Sequence, residues 1–257
     1  MGIDLQQQWF RDLSELRYAA TPKRVRAVLD GQTVLDTRDA LLVYEPRRVV
    51  PWYAVPPRDL HLDLSERDPS PVPELRTPVL PPHHNDWHTV PGRSLHMSGR
   101  GEVAFRPDDP DLGGRVIVHW DPFDWLEEDE AVVGHPHDPF KRIDVLRSSR
   151  QVRVEVDGVT LAESSRPVML IETSLPVRWY LPPADVRMDL LTQSATQTVC
   201  AYKGVASYFS AAGADDVAWC YPDPLHDALQ VKDLVCFWRP ARVLVDGVPT
   251  DTSMPGD

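Results

Sequence analysis

The chain has 257 residues, 42% of them hydrophobic and 26% charged, the proportions of a folded protein rather than a disordered one. Its formal net charge of -12 excludes a general nucleic-acid binder, because neutralising phosphates takes a basic surface. No apolar run is long enough for a membrane helix, and the first residues lack the basic-then-apolar order of a signal peptide.

Leu5, Trp9, Leu13 and Leu16 recur at helical spacing and predict a short N-terminal helix over residues 1–20. Beyond it the 26 prolines, against 13 glycines, predict short strands joined by rigid loops. Asp30-Gly31 signals a tight hairpin, and an apolar strand then runs to Glu45. Trp52-Tyr53 and the segment "VPPRDLHLDL", with Asp59 and Asp63, follow. The proline-rich residues 67–84 and the Gly/Asp/Pro-rich residues 99–114 read as exposed loops or as contacts with the other half, and "EEDE" (127–130) reads as a solvated face. Two histidine-bearing stretches, His83, His84 and His88, then His135 and His137, lack a cysteine or carboxylate set at diagnostic spacing. No metal and no cofactor is therefore expected.

From residue 152 the pattern starts again. Val152, Val154 and Val156 alternate as one face of a strand, and Asp157-Gly158 repeats Asp30-Gly31. Glu172 lies 127 residues after Glu45, and Trp179-Tyr180 lies 127 after Trp52-Tyr53. One residue then drops out, so that "LPPADVRMDL" pairs Asp185 with Asp59 and Asp189 with Asp63 at a spacing of 126. Asp185 to Leu191 is a candidate helical turn that would put Asp185 and Asp189 on one face. Such a run of matches predicts a tandem of two homologous units, a divergent first over residues 21–150 and a second over residues 151–257, with the boundary near Arg147–Arg150.

"CAYKGVASYF" (200–209) has no intact copy in the first half; the nearest alignment lays His88 to Gly92 over Cys200 to Gly204. The three cysteines, Cys200, Cys220 and Cys236, follow no zinc or redox spacing and read as reduced thiols, which favours the cytoplasm.

The blocks "LIET", "WYLPPADVRMDLL", "CAYKGVASYF", "DVAWCYPDPL" and "CFWRPARVLVDG" make the second half resemble a bacterial family, domain of unknown function 427. "YEP" (44–46) and "HPHDPFKR" (135–142) make the first half resemble the partner domain of its tandem form. The resemblance implies a mainly β fold of two small curled-sheet domains, similar to the β-tent folds of Mss4 and methionine sulfoxide reductase B. The family is loosely labelled nucleotidyltransferase-like, but no P-loop, G-x-G-x-x-G or other nucleotide motif occurs here.

The candidate site follows from the block that only the second unit carries. Lys203 can supply charge, or an amine with a burial-lowered pKa; Tyr202 can supply a proton or hydrogen bond, and Cys200 a thiol. Gly204 allows close backbone approach, and Tyr208, Tyr180, Glu172 and Arg187 are candidate ligand contacts. Alternation puts Cys200 and Tyr202 on one face, so Lys203 must reach the site from the turn. For Glu172, Asp185 and Asp189 the presence of first-half counterparts favours structural work. The aromatic residues, Trp219 and Tyr221 among them, read first as core. The expectation is an enzyme or binding protein for a small anionic metabolite, its site in the second unit; the alternative is a non-catalytic protein-interaction module.

Overall fold

The computed structural model describes residues 2–3, 11–74, 78–80, 87–211 and 213–253. Leu5 and Trp9 of the expected helix, and His83 and His84, lie outside them. The fold is mainly β, and the chain divides into two compact units, Met1–Asp138 and Pro139–Pro255. The stretch Arg147–Arg150, read from the sequence as a boundary, therefore lies inside the second unit.

In the first unit the strands are β1 (Arg17–Ala20), β2 (Val25–Leu29), β3 (Gln32–Thr37), β4 (Leu41–Tyr44), β5 (Trp52–Val55) and β6 (Leu64–Arg67). They continue with β7 (Gly92–Met97), β8 (Gly101–Pro107), β9 (Val116–Val118), β10 (Asp124–Glu127) and β11 (Glu130–Val132). The second unit has β12 (Ile143–Arg147), β13 (Val152–Val156), β14 (Val159–Ser164), β15 (Val168–Glu172), β16 (Arg178–Leu181) and β17 (Thr192–Cys200). It ends with β18 (Gly204–Ala211), β19 (Ala214–Cys220), β20 (Val235–Phe237), β21 (Arg242–Val245) and β22 (Val248–Pro249).

Each unit pairs a seven-stranded antiparallel sheet with a four-stranded one, and neither sheet closes into a barrel. The large sheets run β1-β4-β5-β9-β8-β7-β6 and β12-β15-β16-β20-β19-β18-β17, the same order twice. The duplication therefore extends from sequence to topology. Asp30-Gly31 and Asp157-Gly158 both take positive φ (51° and 78°, 46° and 79°), as a tight turn that follows strand twist requires.

Each large sheet is apolar on both faces, which its strand alternation makes possible. In the first unit Tyr53 and Val55 face a core shared with Val25, Ala27, Leu35 and Trp125 of the small sheet, while Trp52 and Ala54 face Val43, Phe105 and Ile117. In the second unit Trp179 and Leu181 face the small sheet, and Tyr180 packs with Leu170, Trp219, Tyr221 and Cys236.

These faces correct the alignment of the two halves. Leu42 pairs with Tyr53 where Met169 pairs with Trp179, so Tyr53 occupies the position of Trp179 and Ala54 that of Tyr180. The residue drop falls before β5, not after the Trp-Tyr pair. Leu95 pairs with Ala104 as Phe209 pairs with Ala218, which lays Gly92 over Ala206 rather than Gly204.

The segment after Asp185 is not one helix. Two short 3-10 turns, Pro183–Asp185 and Met188–Leu190, replace it. Asp185 accepts from Ser164 Oγ at 2.7 Å, and Asp59 from Thr37 Oγ1 at 2.7 Å, so the matched aspartates clamp matched strand ends. At the N-terminus Leu13 is buried and Leu16 packs beside Val43 and Trp52 before β1 begins, so residues 17–20 are strand rather than helix. No described helix is long and apolar enough to cross a membrane.

Candidate functional site

β15 ends by carrying Glu172 inside the second unit, 7% exposed. Residues 201–203 form a buried turn between β17 and β18, from which Lys203 reaches inward to the Glu172 carboxylate. Lys141 approaches the other carboxylate oxygen at 3.9 Å and donates to the Thr173 carbonyl at 3.0 Å. An ion pair this dry persists only where hydrogen bonds and geometry offset desolvation.

The expected lowering of the Lys203 pKa is reversed. Burial alone would lower it, but the Glu172 charge, the Cys200 side chain and hydrogen bonds to both outweigh burial and raise it. Lys203 is accordingly a fixed positive charge, not a neutral amine poised to attack. The alternation expected for Cys200 and Tyr202 ends at Cys200, because the turn begins there; Lys203 meets the Cys200 side chain after all.

Five of the sequence-predicted residues converge here. Burial pushes the Tyr221 hydroxyl well above its ordinary value, and the nearby Tyr180, Cys200, Tyr208 and Glu172 push it further. The Tyr180 hydroxyl accepts from Trp219 Nε1 at 3.2 Å and is fully buried. Tyr208 is half-buried and bonds Thr198 Oγ1 at 2.9 Å, and Cys200 is half-buried. Cys220 and Cys236 are buried.

Gly204 and Arg187 do other work, and Tyr202 is buried in the turn itself. Gly204 does take positive φ (89°), but a Cβ there would lie 3.3 Å from the Asp223 carbonyl oxygen, so its close approach is to this chain's own backbone. Tyr202, 6% exposed, lies between Ala201 and Lys203 in the buried turn. Arg187 is exposed beside β14, gripping Asp189 with two hydrogen bonds at 2.7 and 2.9 Å.

Sequence reasoning missed Lys141 and Arg178. Buried Arg178 donates to the Thr252 carbonyl at 2.8 Å and lies 5.6 Å from the centre of the Trp219 ring. The signal for Lys141 was present in the block "HPHDPFKR".

The first unit keeps the strand-end carboxylate and surrounds it differently. Glu45 is fully buried, paired with Arg48 Nε at 3.1 Å and with His88 Nδ1 at 3.1 Å. His88 Nε2 faces His119 Nε2 at 3.0 Å, and Glu102 Oε1 lies 3.5 Å from the first and 3.6 Å from the second. Burial pulls the His88 pKa down, but the Glu102 and Glu45 carboxylates outweigh it and the net shift is upward. Burial, then the His88 charge, lowers His119 to about 3. The acidic run also differs from expectation: Glu127 is buried, and only the residues after it form a solvated face. Surface depressions of the first unit, one of about 520 Å³ between Arg24, Asp36, Arg38 and Asp39, contain none of the predicted residues.

No curated protein matches the chain. The family model described as domain of unknown function (DUF427) matches residues 17–71 and 144–248, the front of the first unit and nearly all of the second. Lys203, Cys200 and Glu172 fall inside the matched stretches, whereas His88, Glu102 and His119 fall between them. Duplicated topology, the two strand-end glutamates and this coverage together identify the chain as a member of the DUF427 family.

Proposed function

We propose that the second unit, in a cytoplasmic protein, binds a small anionic metabolite at the Cys200–Lys203–Glu172 centre. One observation carries the reading: a buried ammonium–carboxylate pair lies beneath a turn that begins at a half-exposed thiol. Clusters of buried titratable groups of this kind concentrate at functional sites. Lys203 supplies the positive charge, Glu172 holds it in place, and Cys200 and Tyr208 provide the accessible contacts. Three free thiols support a reducing compartment.

The test is a thermal-shift screen of the full chain with inorganic phosphate, pyrophosphate, phosphomonoesters and di- and tricarboxylates. A stabilising anion follows from binding linkage, and its effect should fall at least tenfold in apparent affinity in Cys200→Leu. Equal stabilisation of wild type and variant, or no stabilisation by any anion, would contradict the site.

A second reading rests on β17. It lies at the edge of the large sheet, is nine residues long, is mostly exposed and carries no charged side chain. Natural edge strands are usually blunted by charge or proline, and a bare one accepts a further strand. If this edge binds a protein strand, Val199→Lys abolishes self-association or partner capture measured by sedimentation. A wild-type chain that stays monomeric and captures nothing rules that reading out.

A further inference from the structure

We propose that His88, His119 and Glu102 form a binding site for a divalent transition-metal ion of the zinc class in the first unit. His88 Nε2, His119 Nε2 and Glu102 Oε1 make a triangle with edges of 3.0, 3.5 and 3.6 Å. The circle through these atoms has a radius of about 2.0 Å, close to the Zn–N and Zn–O bond length. Tetrahedral ligands at that bond length stand about 3.4 Å apart. An ion just above the triangle would meet all three atoms with little rearrangement.

The carboxylate supplies an independent sign. Glu102 Oε1 is buried with no well-formed hydrogen bond, the two imidazole nitrogens standing off at 3.5 and 3.6 Å. Such an orphan is costly in a core built only of protein groups, and a cation at the centre of the triangle satisfies it. A β-bulge aims it there. The register shift opposite Leu95 and His96 sends Val103 and Ala104 together into the inter-sheet core, and leaves Glu102 on the side of His88 and His119.

The outer shell has the form metal-bound histidines need. Glu45 accepts from His88 Nδ1, which leaves Nε2 free to coordinate, and Arg48 in turn holds Glu45. Phe105 stacks flat on His88 at 3.8 Å, and Trp52 packs against both rings. Three protein ligands leave a fourth position open, the count of a site that keeps a water. On the outer side His96 Nε2 lies 3.9 Å from Glu102 Oε2, and His96 lines a surface depression of about 450 Å³.

The second unit carries different residues at the matched positions. Strand register puts Asp216 at the place of Glu102, and Trp238 at that of His119: Trp238 N bonds the Val217 carbonyl as His119 N bonds that of Val103. Asp216 is occupied by Ser194 and Thr196. A shared structural need of the fold therefore does not account for the His-His-Glu triangle.

The test is titration of the chelator-treated full chain with Zn²⁺ by calorimetry and with Co²⁺ by visible spectroscopy. One ion per chain, a tetrahedral Co²⁺ spectrum and a Zn²⁺-dependent rise in Tm are expected. Glu102→Gln and His119→Gln should each weaken binding by more than the roughly 10–100-fold that loss of an outer-shell partner costs. His135→Ala/His137→Ala should bind as wild type. Failure of the wild type to take up Zn²⁺, an octahedral Co²⁺ spectrum, or unchanged uptake in Glu102→Gln would overturn the site, and the first and second of these need no variant to fold.

Discussion

Glu172→Gln lowers the unfolding free energy of the full chain by about 3–5 kcal/mol, the cost of stripping a buried ion pair of one partner. The glutamate is the common counter-charge for Lys203 and for the more distant Lys141, so its loss leaves the buried Lys203 ammonium without its partner. Lys203→Met costs less, about 3 kcal/mol, because Lys141 still lies 3.9 Å from the remaining carboxylate. The double variant removes both charges together and costs clearly less than the sum of the two, leaving a coupling of about 2 kcal/mol or more. Chemical denaturation of the four proteins measures this. Additive losses would mean that Lys203 and Glu172 do not hold each other, and that the turn at 201–203 is kept in place by packing alone.

Acid tests a further buried carboxylate, Glu127 of the first unit. Glu127 accepts from Tyr53 Oη at 2.6 Å, from the His137 backbone at 2.8 Å and from the Lys23 ammonium, and His137 Nδ1 lies 3.1 Å away. Burial alone would raise its pKa; these partners overcome it and bring the group down to about 2 from an ordinary 4.5. A carboxylate depressed in this way stabilises the fold above its unfolded pKa, and the contribution disappears as pH falls from about 4.5 through about 2. The size is on the order of 3 kcal/mol, partly offset by the exposure of Lys23. Denaturation of wild type and Glu127→Gln across that window should show the variant less stable at neutral pH and less sensitive to acid. Parallel acid slopes would contradict the assignment.

The sequence made the duplication legible because paired strands and their turns are local. Asp-Gly turns, alternating valines and an apolar run ending in glutamate all act within a few residues, and each recurs in the structure. What it hid was register and long-range meeting. The Trp-Tyr pair occurs in both halves, yet β5 and β16 differ by one position, so Tyr53 matches Trp179. A one-residue slip turns every side chain to the opposite face, and the shared letters conceal it. Glu127 looked solvated inside "EEDE" because its partners Lys23 and Tyr53 lie far away in the chain. The same holds for His88, Glu102 and His119, where strand pairing and a bulge assemble three residues that no sequence spacing links.

The site was only partly legible. Lys203, Cys200, Glu172, Tyr208 and Tyr180 do come together, but Arg187 belongs to another face and Gly204 serves the backbone of residues 223–225. Strand alternation could not anticipate Lys203, since a turn residue is not bound by it.

Alkylation of Cys200 tests the anion site most directly. In the native chain iodoacetamide should modify Cys200 and spare buried Cys220 and Cys236, as read by peptide mass spectrometry. An anion that raises Tm should slow modification of Cys200 at least tenfold, and that protection should vanish in the Glu172→Gln/Lys203→Met protein. If Cys200 reacts equally fast with and without every stabilising anion, the ligand does not bind at the Cys200–Lys203–Glu172 centre.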